Sequence, residues 1–219
     1  MRIGIICEGS TDDAVLRAIL RETCAPADLV FSSLQPQVDA IGHVALGGWQ
    51  AVRKFLQQSS ATIVAAQLDM IIVQVDADIR GLPEIVKQLD AEGGDEALDP
   101  LCRHLKSWMT AGVPESVIIV LPRESTESWL IAASTKRKNV EMIETPARAL
   151  AAAGLIARPK GKGAKAPADF GKLVAPLLPR LKKPSELAAV PELQRFVGKV
   201  RHRVSRLRLA AQTAKRSRT

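Results

Sequence analysis

Short apolar runs separated by amphipathic stretches dominate the first half of the chain. Four of these runs, at residues 2–7, 28–34, 69–75 and 116–121, predict strands, and all but the second are nearly continuous and rich in β-branched residues. Because the runs do not alternate with polar residues, we expect both faces of each strand to be buried. The pattern therefore predicts a Rossmann-like α/β domain, with a mostly parallel central sheet flanked by helices, over about residues 1–135.

The amphipathic stretches between these runs predict helices. Residues 11–22 carry an apolar stripe, and Thr11 is a candidate cap at the start of that helix. A second helix is predicted after the glycine turn in "LGGWQAVRKFLQQ". Further helices are predicted at about residues 83–90, at about residues 98–111, and from Ser125 or Thr126 onward.

The second half of the chain has no strand-like run. Its apolar residues recur at helical spacing and are interrupted by prolines, as in "FGKLVAPLLPRL". We expect residues 136–212 to form a small, basic helical extension packed on or beside the first domain. Residues 213–219 are expected to be a disordered tail.

Charge is distributed unevenly along a chain whose net charge is +8. Acids outnumber bases, 20 to 13, from Met1 to Glu144, whereas the residues after Glu144 are strongly basic. Such asymmetry is typical of contact with polyanions, most often nucleic acid. A solvated helix face followed by a basic tail has the same composition, and the sequence leaves these two interpretations about even.

The cysteines and the apolar runs indicate the cellular compartment of the protein. Cys7, Cys24 and Cys102 are unclustered, so they predict neither a disulfide framework nor a zinc site. No signal-peptide pattern follows Met1, and no apolar run reaches the length of a transmembrane helix. We therefore expect a cytoplasmic protein without a membrane partner.

Acidic residues follow three of the four predicted strands. In an open parallel sheet, ligands bind at the carboxyl ends of the strands, so these acids are expected to share one edge if the first and third strands are neighbours. Asp12 lies one helical turn beyond Glu8, the acid that follows the first strand. The strand-end acids are Glu8, then Asp76 and Asp78, then Glu124 and Glu127.

Several carboxylates in a small volume repel one another unless a cation neutralises them. Oxygen ligands favour Mg²⁺ or Mn²⁺ over zinc, and the chemistry that follows is phosphoryl or phosphodiester transfer. Each motif alone has a structural interpretation, because an acid that opens a helix is often only a cap and Asp-x-Asp is often a turn. Their recurrence at successive strand ends favours a metal site.

The order and spacing of these motifs resemble the TOPRIM family, and most of all the TOPRIM domains of OLD-type nucleases. The resemblance rests on Glu8-Gly9, on Asp12 four residues after the glutamate, on Gly47-Gly48 before a helix, on Asp76-Ala77-Asp78 and on Ser125-Thr126-Glu127. The chain is also similar to small stand-alone bacterial TOPRIM-like proteins of unknown function. No GxxxxGK[ST] motif for an ATPase is present in the sequence.

The resemblance implies a role for each acid. Glu8 would be a metal ligand or general acid/base, and Asp76 and Asp78 would hold Mg²⁺ beside it as catalytic residues. Asp12 and Glu127 would be candidates for a second metal. The resemblance also implies an ATPase partner protein and a role in defence against phage or mobile DNA.

Basic residues are candidates for contact with the nucleic acid. Arg123 immediately precedes the acids after the fourth strand, where it is expected to steady a phosphate or to pair with Glu127. The segment 158–165 is cationic and rich in glycine. The other candidates are Lys160, Lys162, Lys165, Arg201 and Arg203.

Three functions are compatible with the sequence. The leading hypothesis is a Mg²⁺-dependent nuclease or related phosphodiester-transfer enzyme, with DNA favoured over RNA as its substrate. The first alternative is a non-catalytic nucleic-acid-binding subunit of a larger complex, which would use the basic tail. The second is a receiver-like signalling domain, which fits less well because "LPRES" lacks the lysine expected near residue 122.

Overall fold

The computed structural model describes residues 1–37, 47–89, 98–135, 137–156 and 167–216. The strands are β1 (Arg2–Ile6), β2 (Val30–Gln35), β3 (Met70–Gln74) and β4 (Val117–Val120). The α-helices are α1 (Ser10–Cys24), α2 (Trp49–Ala65), α3 (Pro83–Val86), α4 (Asp99–Ser107), α5 (Glu127–Ser134), α6 (Pro146–Ala152), α7 (Pro167–Leu173) and α8 (Pro191–Arg216). Short 3-10 segments span Ala77–Gly81, Val140–Met142, Ala175–Lys182 and Pro184–Leu187.

All four described strands are parallel and lie in the order β2-β1-β3-β4. The predicted Rossmann-like α/β fold with a C-terminal helical part is confirmed. The chain leaves β1 toward β2 on one side, and the crossover from β3 leads to β4 on the other. The boundary between β1 and β3 is therefore the topological switch point, the place where open α/β sheets bind ligands.

Helices cover both faces of the sheet. Ile3 and Ile5 of β1 belong to a buried cluster on one face, which includes residues of α1 and α5. Ile6 of β1 points to the opposite face, where it joins a cluster built with α2 and α4. This double burial explains why the strands read as continuous apolar runs rather than as alternating ones.

The second half of the chain packs on the same face as α1 and α5. Phe170 and Phe196 are buried in the cluster that contains Ile3 and Ile5. The ring of Phe196 stacks on that of Trp129 in α5, with 6.4 Å between the ring centroids. Described residues on both sides of the gap at 157–166 thus contribute to a hydrophobic cluster that also contains side chains of the sheet.

Several predicted boundaries differ from the structure. Helix α1 starts at Ser10 and is preceded by Gly9, so Thr11 lies inside the helix and does not cap it. Helix α3 ends at Val86 rather than near residue 90, and α4 ends at Ser107 rather than near residue 111. Residues 213–216, predicted to belong to a disordered tail, form the last turn of α8, and 217–219 lie outside the described residues.

No helix in the described parts of the chain is both long enough and apolar enough to span a membrane.

Candidate metal centre

Glu8 and Asp76 meet at the switch point of the sheet. Each lies two residues beyond the end of its strand, and β1 and β3 are hydrogen-bonded neighbours. The Asp76 backbone N–H donates to Oε1 of Glu8 at 2.6 Å. The Glu8 backbone N–H in turn donates to Oε1 of Gln74 at 3.2 Å. The two acids therefore share one pocket, as expected for neighbouring first and third strands.

A glycine pair brings the start of α2 against Glu8. The Gly48 N–H donates to the Glu8 carbonyl at 2.9 Å, and Gly48 has a φ of +92°, a region that favours glycine. A Cβ placed on Gly47 would lie 2.0 Å from the same carbonyl oxygen, so no larger residue fits there. This close approach lets the Trp49 N–H, at the first turn of α2, hydrogen-bond the Glu8 carboxylate.

Asp76 lies at the centre of the acids. Gln74 holds it in place, because the Gln74 amide Nε2 donates to Asp76 Oδ1 at 2.7 Å. Burial is the largest influence on the Asp76 pKa and raises it well above its usual range. Four neighbouring carboxylates raise that pKa further, in the order Asp12, Glu8, Glu127 and Asp78.

Asp12 and Glu127 form the deeper wall of the pocket. Their relative exposures are only 8% and 6%. The hydroxyl of Thr126, which is itself fully buried, donates to Asp12 Oδ1 at 2.6 Å. This hydrogen bond joins the first turn of α1 to the residue that precedes α5.

The pKa of Glu8 responds to this environment. Burial raises the pKa of Glu8 to about 7, and the carboxylates of Asp12 and Asp78 act in the same direction. The N–H groups of Asp76 and Trp49 oppose the rise, because they stabilise the ionised carboxylate. A carboxyl group with a perturbed pKa in a cleft is a candidate for a functional role.

Asp78 lies at the outer rim of the pocket, in the 3-10 segment that follows β3. Its partial burial and the nearby Glu124 carboxylate raise its pKa, while the Ile79 N–H and Arg80 lower it. Arg80 pairs with Glu124 at 2.8 Å and also donates to the carbonyl oxygens of Ala77 and Arg123. Glu124 is therefore an ion-pair partner of Arg80 in this structure.

Asp13 points away from these acids. Its Oδ2 accepts a hydrogen bond from Nε of Arg17, one helical turn further along α1, at 2.6 Å. Its Oδ1 accepts a hydrogen bond from the Ser33 hydroxyl at 3.2 Å. The two adjacent aspartates of the sequence thus have different surroundings, since Asp12 faces other carboxylates and Asp13 faces a cation.

The acids converge without forming a preassembled coordination sphere. Within the described ranges, no three or more His, Cys, Asp or Glu side chains are arranged so that they could hold a metal ion as they stand. The carboxylate oxygens of Asp76 and its four acidic neighbours nevertheless suit a hard divalent cation, because such ions prefer oxygen ligands. A cation there would relieve their mutual repulsion.

The predicted basic residues are not gathered at this pocket. Arg203 donates to the Asp69 carbonyl and lies 3.6 Å from Glu115, which places it at the amino ends of β3 and β4, the opposite edge of the sheet. Arg201 donates to the Leu181 carbonyl. Lys160, Lys162 and Lys165 lie outside the described residues.

Arg123 is placed differently from the other predicted cations. It follows β4 at the same end of the sheet as the acids, and its Nε is buried without a hydrogen-bond partner. Burial raises the pKa of Glu192, at the start of α8, and the charge of Arg123 is one of those that oppose this rise. The expected pairing of Arg123 with Glu127 stays a prediction.

Gln74, Thr126 and Arg80 contribute to the pocket but were not predicted from the sequence. A signal for Gln74 was present, because it is the one polar residue inside the strand run "MIIVQV" and is fully buried. Such a residue needs a hydrogen-bond partner, and here its amide joins Glu8 to Asp76. Nothing in the local sequence distinguishes Thr126 or Arg80 from ordinary helix-start and turn residues.

Comparisons with protein families, with curated proteins and with solved structures found no match to this chain.

Proposed function

We propose that the protein is a Mg²⁺- or Mn²⁺-dependent enzyme that cleaves phosphodiester bonds in nucleic acid, a nuclease of TOPRIM-like type. The observation that carries the proposal is the convergence of five carboxylates at the switch point of a parallel sheet. These are Glu8, Asp12, Asp76, Asp78 and Glu127. Such a group is unstable without a cation, and a hard divalent cation is the ligand its oxygens favour.

The acids differ in the roles they suit. Asp76 and Asp78, on the loop after β3, would hold the metal together with Glu8, and Asp12 and Glu127 would hold a second ion in the deeper wall. Bound metal would neutralise charge on the scissile phosphate and lower the pKa of a water molecule. Glu8 is placed to accept a proton from the attacking water, because it lies at the strand end beside Asp76.

The surrounding residues position these acids. Gln74 orients the Asp76 carboxylate, Thr126 orients that of Asp12, and the glycine pair fixes Glu8 against α2. Arg123 is a candidate for contact with a phosphate, because its buried Nε lacks a partner at this end of the sheet. The positive net charge of +8 favours a polyanionic substrate.

A cleavage assay tests the proposal. Plasmid, linear duplex and single-stranded DNA and RNA are incubated with the protein in Mg²⁺, Mn²⁺ or EDTA. We expect cleavage with either metal and none in EDTA. Asp76→Asn and Glu8→Gln should each lower the rate by about a thousandfold, within the range that metal and acid–base groups contribute.

Asp13→Asn is the matched control, because it removes one carboxylate from the same helix but outside the pocket. Its rate should stay within about twofold of wild type, as for a group outside the reacting centre. Equal rates for wild type, Asp76→Asn and Glu8→Gln would contradict the catalytic role. Binding of nucleic acid without cleavage in any metal would instead favour the non-catalytic binding subunit.

A further inference from the structure

A groove follows the free edge of β4, between α4 and α8. β4 is the last strand of the described sheet, and β3 pairs with only one of its edges. The N–H groups of Ile71 and Val75 donate to the carbonyls of Ser116 and Val120. Since pairing alternates along a strand, the intervening residues Val117 and Ile119 direct their backbone groups away from β3.

The groove is a defined cavity of about 230 Å³. Its lining includes Val117 and Ile119 of β4, Lys106 of α4, and Lys199, His202 and Arg206 of α8. A second cavity, of about 20 Å³, shares Cys102, Ile119 and Lys199 with the first and continues to Leu121. Together the two cavities follow β4 from its first residue to just beyond its last.

The larger cavity is strongly positive. Four side chains with a permanent positive charge line it, against the single carboxylate of Glu115. Arg203 and Arg206 both pair with Glu115, whereas Lys106 and Lys199 are exposed. The Lys199 ammonium donates to the outward-facing Ile119 carbonyl at 3.3 Å. A lysine in this position shields an edge strand from uncontrolled pairing.

We propose that this groove binds an extended, acidic segment of a partner protein, which adds a fifth strand to the sheet at β4. A backbone N–H of the segment replaces the Lys199 ammonium at the Ile119 carbonyl, and a backbone carbonyl of the segment accepts the Ile119 N–H. The released Lys199 and the exposed Lys106 then pair with acidic side chains of the segment. Strand addition supplies affinity through the main chain, while flanking side chains supply selectivity.

Nucleic acid is the competing occupant, because its phosphates also match these cations. The outward-facing Val117 carbonyl and the backbone groups of Ile119 favour the peptide, since they pair best with another backbone; the Val117 N–H already donates to the Pro114 carbonyl. The groove is also separate from the acidic pocket, which lies at the carboxyl ends of β1 and β3. Peptide binding at this groove is therefore independent of nuclease activity at the acidic pocket.

Peptide binding to the full-length protein tests the proposal. The probe is a fluorescent peptide of four Glu-Val repeats, and the comparison peptides are four Lys-Val repeats and an N-methylated form of the acidic probe. We expect saturable binding of the acidic peptide and none of the basic one. N-methylation of alternate amides, which removes backbone donors, should weaken binding at least about tenfold.

Protein variants locate the binding site. Lys199→Glu and Lys106→Glu should each weaken binding at least about fivefold, because each reverses a charge in the groove. Lys54→Glu makes the same change on the exposed surface of α2, outside the cavity, and should leave affinity within about twofold. Hydrogen exchange of the Ile119 amide should slow when the peptide binds.

Three results would overturn the proposal. One is an absence of peptide binding at millimolar concentration. Another is equal affinity for the N-methylated probe, which would show that the groove recognises charge alone. The last is displacement of the peptide by a twelve-residue oligo-dT at equal or lower concentration, which would assign the groove to nucleic acid.

Discussion

Two groups of buried carboxylates in this protein differ in how their charge is balanced. Glu141 is 2% exposed and accepts hydrogen bonds from three donors, the Trp129 indole and the backbone N–H groups of Glu192 and Leu193. Asp76 is partly exposed and lies among four other carboxylates. Burial raises the pKa of both acids, but hydrogen-bond donors oppose the rise at Glu141 while neighbouring acids add to it at Asp76.

We expect this contrast to separate a structural acid from one that binds a ligand. Glu141 joins α5 to the start of α8, and its donors come from within the chain. Asp76 has four carboxylate neighbours, and their repulsion destabilises the fold unless protonation or a bound cation relieves it. The following predictions test the contrast, from the largest expected effect on stability to the smallest.

Removing the carboxylate of Glu141 should have the largest effect. Glu141→Ala leaves the Trp129 indole and two N–H groups of α8 buried without an acceptor, so we expect a loss of about 3 kcal/mol in the free energy of unfolding. Glu141→Gln retains one oxygen acceptor and should lose less, about 1 kcal/mol. Urea denaturation measures the free energy of unfolding of both variants. A value for Glu141→Ala equal to that of wild type would contradict a structural role for Glu141.

Divalent metal should stabilise the wild-type protein. At about one hundred times its dissociation constant, Mg²⁺ or Mn²⁺ would add about 2.7 kcal/mol to the free energy of unfolding, because it binds only the folded pocket. Thermal unfolding with and without EDTA measures this gain. Asp76→Asn should lose most of the gain and Glu141→Gln should retain it, whereas an equal gain in both variants would place the metal elsewhere.

Stability without metal should depend on pH through Glu8. Because the folded-state pKa of Glu8, about 7, lies above the reference value of 4.5, the folded state binds the proton more tightly than the unfolded state. Its contribution is complete below pH 4.5 and is lost as the pH rises through about 7. Because Glu8 is only partly buried, we expect a loss of about 2 kcal/mol across this window in EDTA, less than the full shift in pKa would give.

Glu8→Gln provides the comparison, because glutamine does not titrate. Its unfolding free energy, measured by urea denaturation at several pH values in EDTA, should fall less steeply over the same window. Parallel pH profiles for wild type and Glu8→Gln would show that other groups cause the dependence.

Replacing Asp76 by asparagine should produce the smallest change, and it should be a gain. In EDTA at pH 8, Asp76→Asn removes a buried charge beside four acids while retaining the oxygen that accepts the Gln74 hydrogen bond. We expect the free energy of unfolding to rise by about 1 kcal/mol. A loss of stability by urea denaturation would mean that Asp76 is a compensated, structural acid like Glu141.

Local patterns were sufficient to predict most of the fold. The runs that became β1, β3 and β4 are apolar on both faces, and helices cover them on both sides. The prediction was less accurate for β2, which begins at Val30 rather than at residue 28 and leaves Val30 62% exposed. An edge strand with polar and exposed positions carries a weaker hydrophobic signal.

The candidate pocket could be predicted in part. Glu8 and Asp76 were placed together by one general rule about the carboxyl ends of parallel strands, and the structure joins them by a hydrogen bond across 68 positions of sequence. The resemblance, rather than this rule, singled out Asp12 as a site residue, and in the structure Asp12 faces the pocket while Asp13 faces Arg17. That choice depends on how α1 is rotated against α5, which packing decides.

The sequence determined the strands, most of the helices and the acids that end the strands, because hydrophobic period and residue chemistry are local properties of the chain. Only the tertiary structure showed that Glu141 has donors from two distant segments, that Arg203 lies at the edge opposite the acids, and that α8 forms a basic groove with β4. These features depend on strand order and on the packing of elements far apart in sequence. Burial and neighbouring charge, which distinguish Asp76 from Glu141, are likewise properties of the folded chain.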